Sequence, residues 1–203
     1  MIAILDYDMG NLRSVSKALE QVGADCKVTR DPKVVAQADK LVVPGVGAFG
    51  DCVKNLRDYG LEEPTKKFIK SGKPFLGICV GMQILMESSE ESPGVAGMGI
   101  LSGKVVRFPQ NELKVPHMGW NSLKTAAGKK SRLLHGIPEG SYVYFVHSYY
   151  VDPDQKKKVT VASAEYGLNF TALIEHENIF ATQFHPEKSQ AIGLRILKNF
   201  VEL

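Results

Sequence analysis

The chain has 203 residues, 44% hydrophobic and 23% charged, the balance of an ordinary globular protein with one sizeable core. Its net charge of +3 comes from scattered lysines with no basic, aromatic-interleaved stripe, which argues against a nucleic-acid partner. No apolar run reaches the ~20 residues of a membrane span, and Cys26, Cys52 and Cys79 fit neither a disulfide framework nor a zinc site.

In chain order, the first half alternates strands and helices. Met1–Asp6 lacks the basic start of a signal peptide, and Ile2–Leu5 reads as a short apolar strand. Residues 11–21 have helical spacing through Leu12, Val15, Ala18 and Leu19. Lys27–Thr29 is the next strand, and Asp31 with Pro32 opens a short helix with a cap and an N1 proline. A buried strand at Lys40–Val43 precedes helical stretches at Asp51–Arg57 and Glu62–Ser71. Phe75–Ile78 is a fourth strand that runs into a helix at Cys79. This order predicts a flavodoxin-like, doubly wound α/β fold with a mostly parallel sheet. Ligands bind such sheets at the carboxyl ends of the strands. Cys79, the loop after Pro44 and the loop Asp6–Asn11 are therefore expected at one edge.

The second half changes character. Ile100–Phe108, Gly119–Leu123, Tyr142–Val146, Val159–Ala164, Thr171–Ile174 and Ile179–Phe184 read as strands joined by turns, an antiparallel C-terminal extension. Ser189 is placed to cap a closing helix that buries Ile192, Leu194, Ile196, Leu197 and Phe200. With no repeat and no linker, residues 1–203 are expected to form a single domain. Three unpaired thiols suit a reducing cytoplasm.

The segment Gly77-Ile78-Cys79-Val80-Gly81 is the strongest chemical signal. Glycines on both sides remove Cβ atoms that would clash in a sharp strand-to-helix turn, the geometry of an activated nucleophile. Unpaired N–H groups and the dipole at a helix start favour a thiolate, lowering a thiol from about 8.5 to about 3.5–7.5. A small buried hydrophobe is the plainer reading of any lone cysteine. Of five histidines, His185 stands out. Pro186 restrains it to an extended conformation, and residues two apart in an extended segment face the same way, so Glu187 can hold one ring nitrogen. The other nitrogen is then free to exchange a proton with the thiol. Oxyanion donors are expected from the N–H of Val80 and from the loop Val46-Gly47. Gly45–Gly50 also matches G-x-G-x-x-G, but it follows the third strand rather than the first, which is the wrong context for a dinucleotide.

Cys79 in G-I-C-V-G-M-Q, followed later by His185-Pro186-Glu187, resembles the class I glutamine amidotransferases. Further matches at Asp6–Leu12, Pro44–Phe49, His117–Asn121, Tyr144–Tyr149 and His185–Ser189 make the chain similar to the glutaminase subunits of imidazole glycerol phosphate synthases, from histidine biosynthesis. The resemblance implies a Cys79-His185-Glu187 triad that cleaves glutamine through a γ-glutamyl thioester. It implies substrate contacts from Gln83 and from the backbone of His147, Ser148 and Tyr149. Ammonia would pass to a partner cyclase subunit, a (β/α)8 barrel, in a heterodimer whose interface includes Asn11, Trp120, Tyr144 and Lys188. No metal or organic cofactor is implied, and the glycine-rich loop is the implied switch. Asp8 departs from the usual glycine, stiffening the first loop, and Val80 from a common leucine. Cys26 and Cys52 are read as packing residues, while His117, His135 and His176 have no functional match. A glutaminase serving another synthase, or a non-catalytic partner of the same architecture, stays open.

Overall fold

The computed structural model describes residues 1–109 and 113–203. The first half runs β1 (Ile2–Leu5), α1 (Leu12–Gln21), β2 (Cys26–Thr29), α2 (Pro32–Gln37), β3 (Lys40–Gly45), α3 (Phe49–Asp58), α4 (Glu62–Lys70) and β4 (Phe75–Cys79). Local chemistry sets the starts of the early helices. The Asn11 side chain accepts the Ser14 N–H at α1, and Asp31 accepts the Lys33 N–H at α2, just ahead of Pro32. The second half runs α5 (Val80–Gln83), β5 (Ser88–Ser89), β6 (Gly103–Arg107), β7 (His117–Ser122), β8 (Lys124–Thr125), β9 (Tyr142–His147) and β10 (Tyr149–Pro153). It ends with α6 (Lys156–Val159), β11 (Thr160–Glu165), β12 (Asn169–His176), β13 (Ile179–Thr182) and α7 (Gln190–Val201).

Eight strands share one sheet in the order β2-β1-β3-β4-β13-β12-β11-β8. The first five are parallel and the rest antiparallel. β1, β4 and β13 are buried at every position, as strands covered on both faces must be. α1 packs with α7 and α2 with α4, the separation to opposite faces that right-handed crossovers impose on the order β2-β1-β3. One apolar cluster draws on both halves of the chain, from Ile4 and Val42 to Phe180 and Phe200. The ribbon β7–β9 and the small sheet β10-β6-β5 stand outside the main sheet.

β13 is the seam that builds the site. It lies parallel to β4, with Ala181 opposite Gly77 and Thr182 opposite Ile78, so the residues after Thr182 emerge beside Cys79. On the other side of β4, Gly45 pairs with Cys79. The expected shared edge forms there: Gly10 packs on Pro44, and the Tyr7 hydroxyl donates to the Pro44 carbonyl at 2.6 Å. Two expectations need correction. The helix at Cys79 is a single turn, and Ser189 does not cap α7 with its hydroxyl. β5 and β8, at two residues each, are too short to show any periodicity.

Candidate active site

Cys79 ends β4 with φ 55° and ψ −110°, a left-handed conformation that costs a non-glycine residue about 1–3 kcal/mol. The flanking glycines let the surrounding chain hold it there. A Cβ on Gly81 would lie 1.9 Å from the Val43 carbonyl oxygen, and one on Gly77 would lie 2.5 Å from the Gly81 carbonyl oxygen. The elbow thus folds directly against β3, and Cys79 is buried. Because α5 has one turn, its field at the sulfur comes from the first N–H groups rather than from a long dipole.

His185 Nδ1 donates to Glu187 Oε1 at 2.8 Å, with both side chains buried. The pairing is as expected, but its route is not. Pro186–Lys188 form a 3-10 turn rather than extended chain, and the turn brings Glu187 under the ring. A carboxylate only accepts, so Nδ1 carries the hydrogen and Nε2 is left for another partner. Nε2 is buried without an ordinary hydrogen bond among the described residues. Burial resists charging this imidazole, yet the neighbouring Cys79 sulfur and then Glu187 outweigh it and raise the pKa to about 10. The His185 backbone is also fixed. Its N–H donates to the Tyr144 carbonyl at 2.9 Å, and its carbonyl accepts the Ser189 hydroxyl at 2.6 Å. That hydroxyl in turn accepts the Tyr144 N–H at 2.9 Å, which is why it is not available to cap α7.

A cleft of about 260 Å³ opens over these groups, lined by Cys79, His185, Val80, Gln83, Val46 and Gly47, with the segment 147–149 as its far wall. Val46 and Gly47 follow β3 and so stand next to the elbow, where the expected oxyanion donors belong. A buried thiol and an imidazole steered by a carboxylate, set beside a cleft, are parts from which a cysteine acyl-transfer centre can be built.

The family model for class-I glutamine amidotransferases matches residues 3–203. The chain belongs to the class-I glutamine amidotransferase family. It is 54% identical to the imidazole glycerol phosphate synthase subunit HisH of Syntrophotalea carbinolica, over 100% of both chains. It is 53% identical to the subunit of the same name from Geobacter sulfurreducens, over 100% of this chain and 98% of that one. In fold it matches a solved structure described as a glutamine amidotransferase, with a TM-score of 0.76 at 20% identity, over 100% of this chain and 99% of the other.

Two polar groups at this amidotransferase cleft, one behind Cys79 and one in its lining, have no counterpart among the residues singled out from the sequence. Gln183 is buried, and its Nε2 lies 3.8 Å from Cys79 Sγ. It stands two residues before His185 as a polar side chain in an apolar strand, a signal that alternation carries. Glu91 lines the cleft itself, and its Oε2 accepts the Phe49 N–H at 2.8 Å, where Ala48 supplies no side-chain cap to α3. Cys52 is buried as expected but also bonds: its thiol donates to the Val46 carbonyl at 3.5 Å. Burial pushes that thiol up to about 12.

Trp120 is 46% exposed and so lies outside the core. It pairs with Tyr144 across the ribbon, the rings 6.1 Å apart and edge-on, while the Lys188 ammonium sits 5.9 Å from the Tyr144 ring. Asn11 caps α1. Asp8 does take the left-handed φ of 62° that a glycine would adopt more freely, held by Arg30 at 2.8 Å and by the Tyr59 hydroxyl. His135 and His176 lie away from the cleft, and Cys26 donates to the Ser16 carbonyl at 3.8 Å. Among the described residues no helix is long and apolar enough to cross a membrane.

Proposed function

We propose that the chain is the glutaminase subunit of an imidazole glycerol phosphate synthase, folded as one domain over residues 1–203. The observation that carries this reading is His185 held at Nδ1 by Glu187, with its Nε2 left to the strained, buried Cys79. The Cys79 thiolate attacks the side-chain carbonyl carbon of glutamine, forming a carbon–sulfur bond and an oxyanion. The N–H of Val80 and the Val46-Gly47 loop receive that oxygen, each donor typically worth ~3–4 kcal/mol in the transition state. His185 gives its Nε2 proton to the departing nitrogen, and ammonia leaves a γ-glutamyl thioester. Water then attacks the thioester with His185 as base, releasing glutamate and restoring the thiolate.

Gln83 and the backbone of His147, Ser148 and Tyr149 would hold the amino-acid head, and the Glu91 carboxylate suits its ammonium. The relatives carry the name of a synthase subunit, which supports a cyclase partner receiving the ammonia in histidine biosynthesis. The exposed Trp120, with Tyr144, Lys188 and Asn11, is the face assigned to that partner, a (β/α)8 barrel in a heterodimer. A cytoplasmic setting suits the three free thiols.

The test is Cys79→Ala in complex with the cyclase subunit. Synthesis from glutamine should vanish while synthesis from added ammonium salt persists. Loss of both in a folded complex, or of neither, would overturn the division of labour.

A further inference from the structure

The β7–β9 ribbon has two unlike faces. Strand alternation turns Met118, Trp120 and Tyr142 outward, 62%, 46% and 59% exposed, and His117, Phe145 and His147 inward. The two histidines face each other in the ladder at 3% and 6% exposure, with Phe108, Phe145 and Phe170 packed around both rings. An apolar cage of this kind could hold phenylalanines. It holds four ring nitrogens instead, which is costly unless each one is satisfied.

Each one is, and the hydrogens have one consistent assignment. His147 Nδ1 lies 2.8 Å from the Tyr149 carbonyl oxygen, which can only accept, so Nδ1 carries the hydrogen. His147 Nε2 must then accept, and it does so from His117 Nδ1 at 3.0 Å. His117 Nε2 accepts in turn from Asn121 Nδ2 at 3.3 Å, and the same amide donates to the Glu165 carbonyl at 2.8 Å. Beyond the pair, Gln83 Nε2 donates to the same Tyr149 carbonyl at 3.0 Å and to Gln183 Oε1 at 3.3 Å. Gln183 then reaches the Cys79 sulfur. A continuous line of hydrogen bonds thus joins the ribbon that bears Trp120 to the floor of the cleft.

We propose that His117 and His147 are positioning residues, a tautomer-locked pair that fixes the Tyr149 carbonyl, and through it Gln83, against the β7–β9 ribbon. The effect on glutamine rests on the glutaminase reading; the pair itself does not. Burial holds His117 down at about 4 and His147 at about 3, so both rings stay neutral at working pH. Protonating either ring would set two donors against each other and break the line.

Two variants separate positioning from packing. His117→Phe keeps a ring in the cage and removes both hydrogen bonds. His117→Asn returns a donor near the place of Nδ1. In complex with the cyclase subunit, His117→Phe should raise the KM for glutamine about tenfold. Ammonium-dependent synthesis and the rate of Cys79 alkylation by iodoacetamide should stay within about twofold of wild type, and His117→Asn should recover most of the KM. An unchanged KM in His117→Phe, or an equal rise in both variants, would overturn the proposal.

Nitrogen-15 spectra of the histidine rings in the wild-type chain test the pair without any variant. Both rings should carry hydrogen on Nδ1 and hold that state from about pH 8 to about pH 5.5. A ring that titrates near 6.5, or carries its hydrogen on Nε2, would sink the pair whatever the activity. A wild-type complex that fails to hydrolyse glutamine would instead defeat the glutaminase reading and leave the spectra to judge the pair.

Discussion

At the carboxyl end of β4, backbone geometry makes the site: a left-handed Cys79, and glycines that let the turn lie on the Val43 carbonyl. At the ends of β9 and β13, side-chain hydrogen bonds make it: His185 on Glu187, Ser189 between His185 and Tyr144, and His147 on Tyr149. The first region holds the Cys79 sulfur in a position with almost no freedom. The second region fixes His185 and the segment 147–149 through contacts that single atoms can make or break. Conformational strain belongs to the first region and electrostatic sensitivity to the second.

The contrast can be broken from either side. His185→Asn leaves a donor near Nδ1 for Glu187 but removes the nitrogen left to Cys79. Glutamine turnover by the complex should fall by about 10²–10⁴, the usual worth of positioned acid–base catalysis. A wild-type rate would remove His185 from the mechanism. Gly81→Ala attacks the other region by pressing a methyl into the Val43 carbonyl. Overpacking of a site that cannot relax should cost about 3 kcal/mol, read from the urea midpoint of the isolated chain. A loss below about 1 kcal/mol would mean that the elbow yields more easily than its contacts imply.

How far each region could be read in the sequence follows the same division. The elbow was legible because its cause is local: glycines at 77 and 81 around a cysteine after an apolar strand. His185 and Glu187 were legible as a pair although extended spacing is not the conformation the chain adopts; a 3-10 turn also brings residues two apart together. The His117–His147 contact was not legible, because it depends on a ladder register set across the long connection between β7 and β9. Glu91 was hidden for a similar reason. It reaches the start of α3 only because the chain after α5 folds back, with Gly97 on the Glu87 carbonyl and Met98 on Ile84. Alternation could assign Trp120 to one face of a strand, but not tell which face the rest of the fold covers.

The smallest expected effect tests the electrostatic half, through the opposite signs its buried histidines carry. His185 has a pKa raised to about 10, so its contribution to stability is complete below its unfolded value of about 6.5 and fades as pH rises towards 10. His117 and His147 are depressed to about 4 and 3. Below about 6.5 the unfolded chain takes up protons that the folded chain refuses, so these two remove stability as pH falls. Carboxylates titrate in the same acid range, and comparison with His117→Phe isolates the histidine part. The variant should be the less stable chain at neutral pH, because His147 Nε2 loses its donor. Between about pH 6 and pH 4.5 its deficit should shrink by up to about 1.4 kcal/mol per unit, since only the wild type has that ring to protonate on unfolding. Urea midpoints across the series measure the gap. A gap that stays constant with pH would mean that His117 accepts a proton as readily in the folded chain as in the unfolded one, and the ribbon would then owe its place to packing alone.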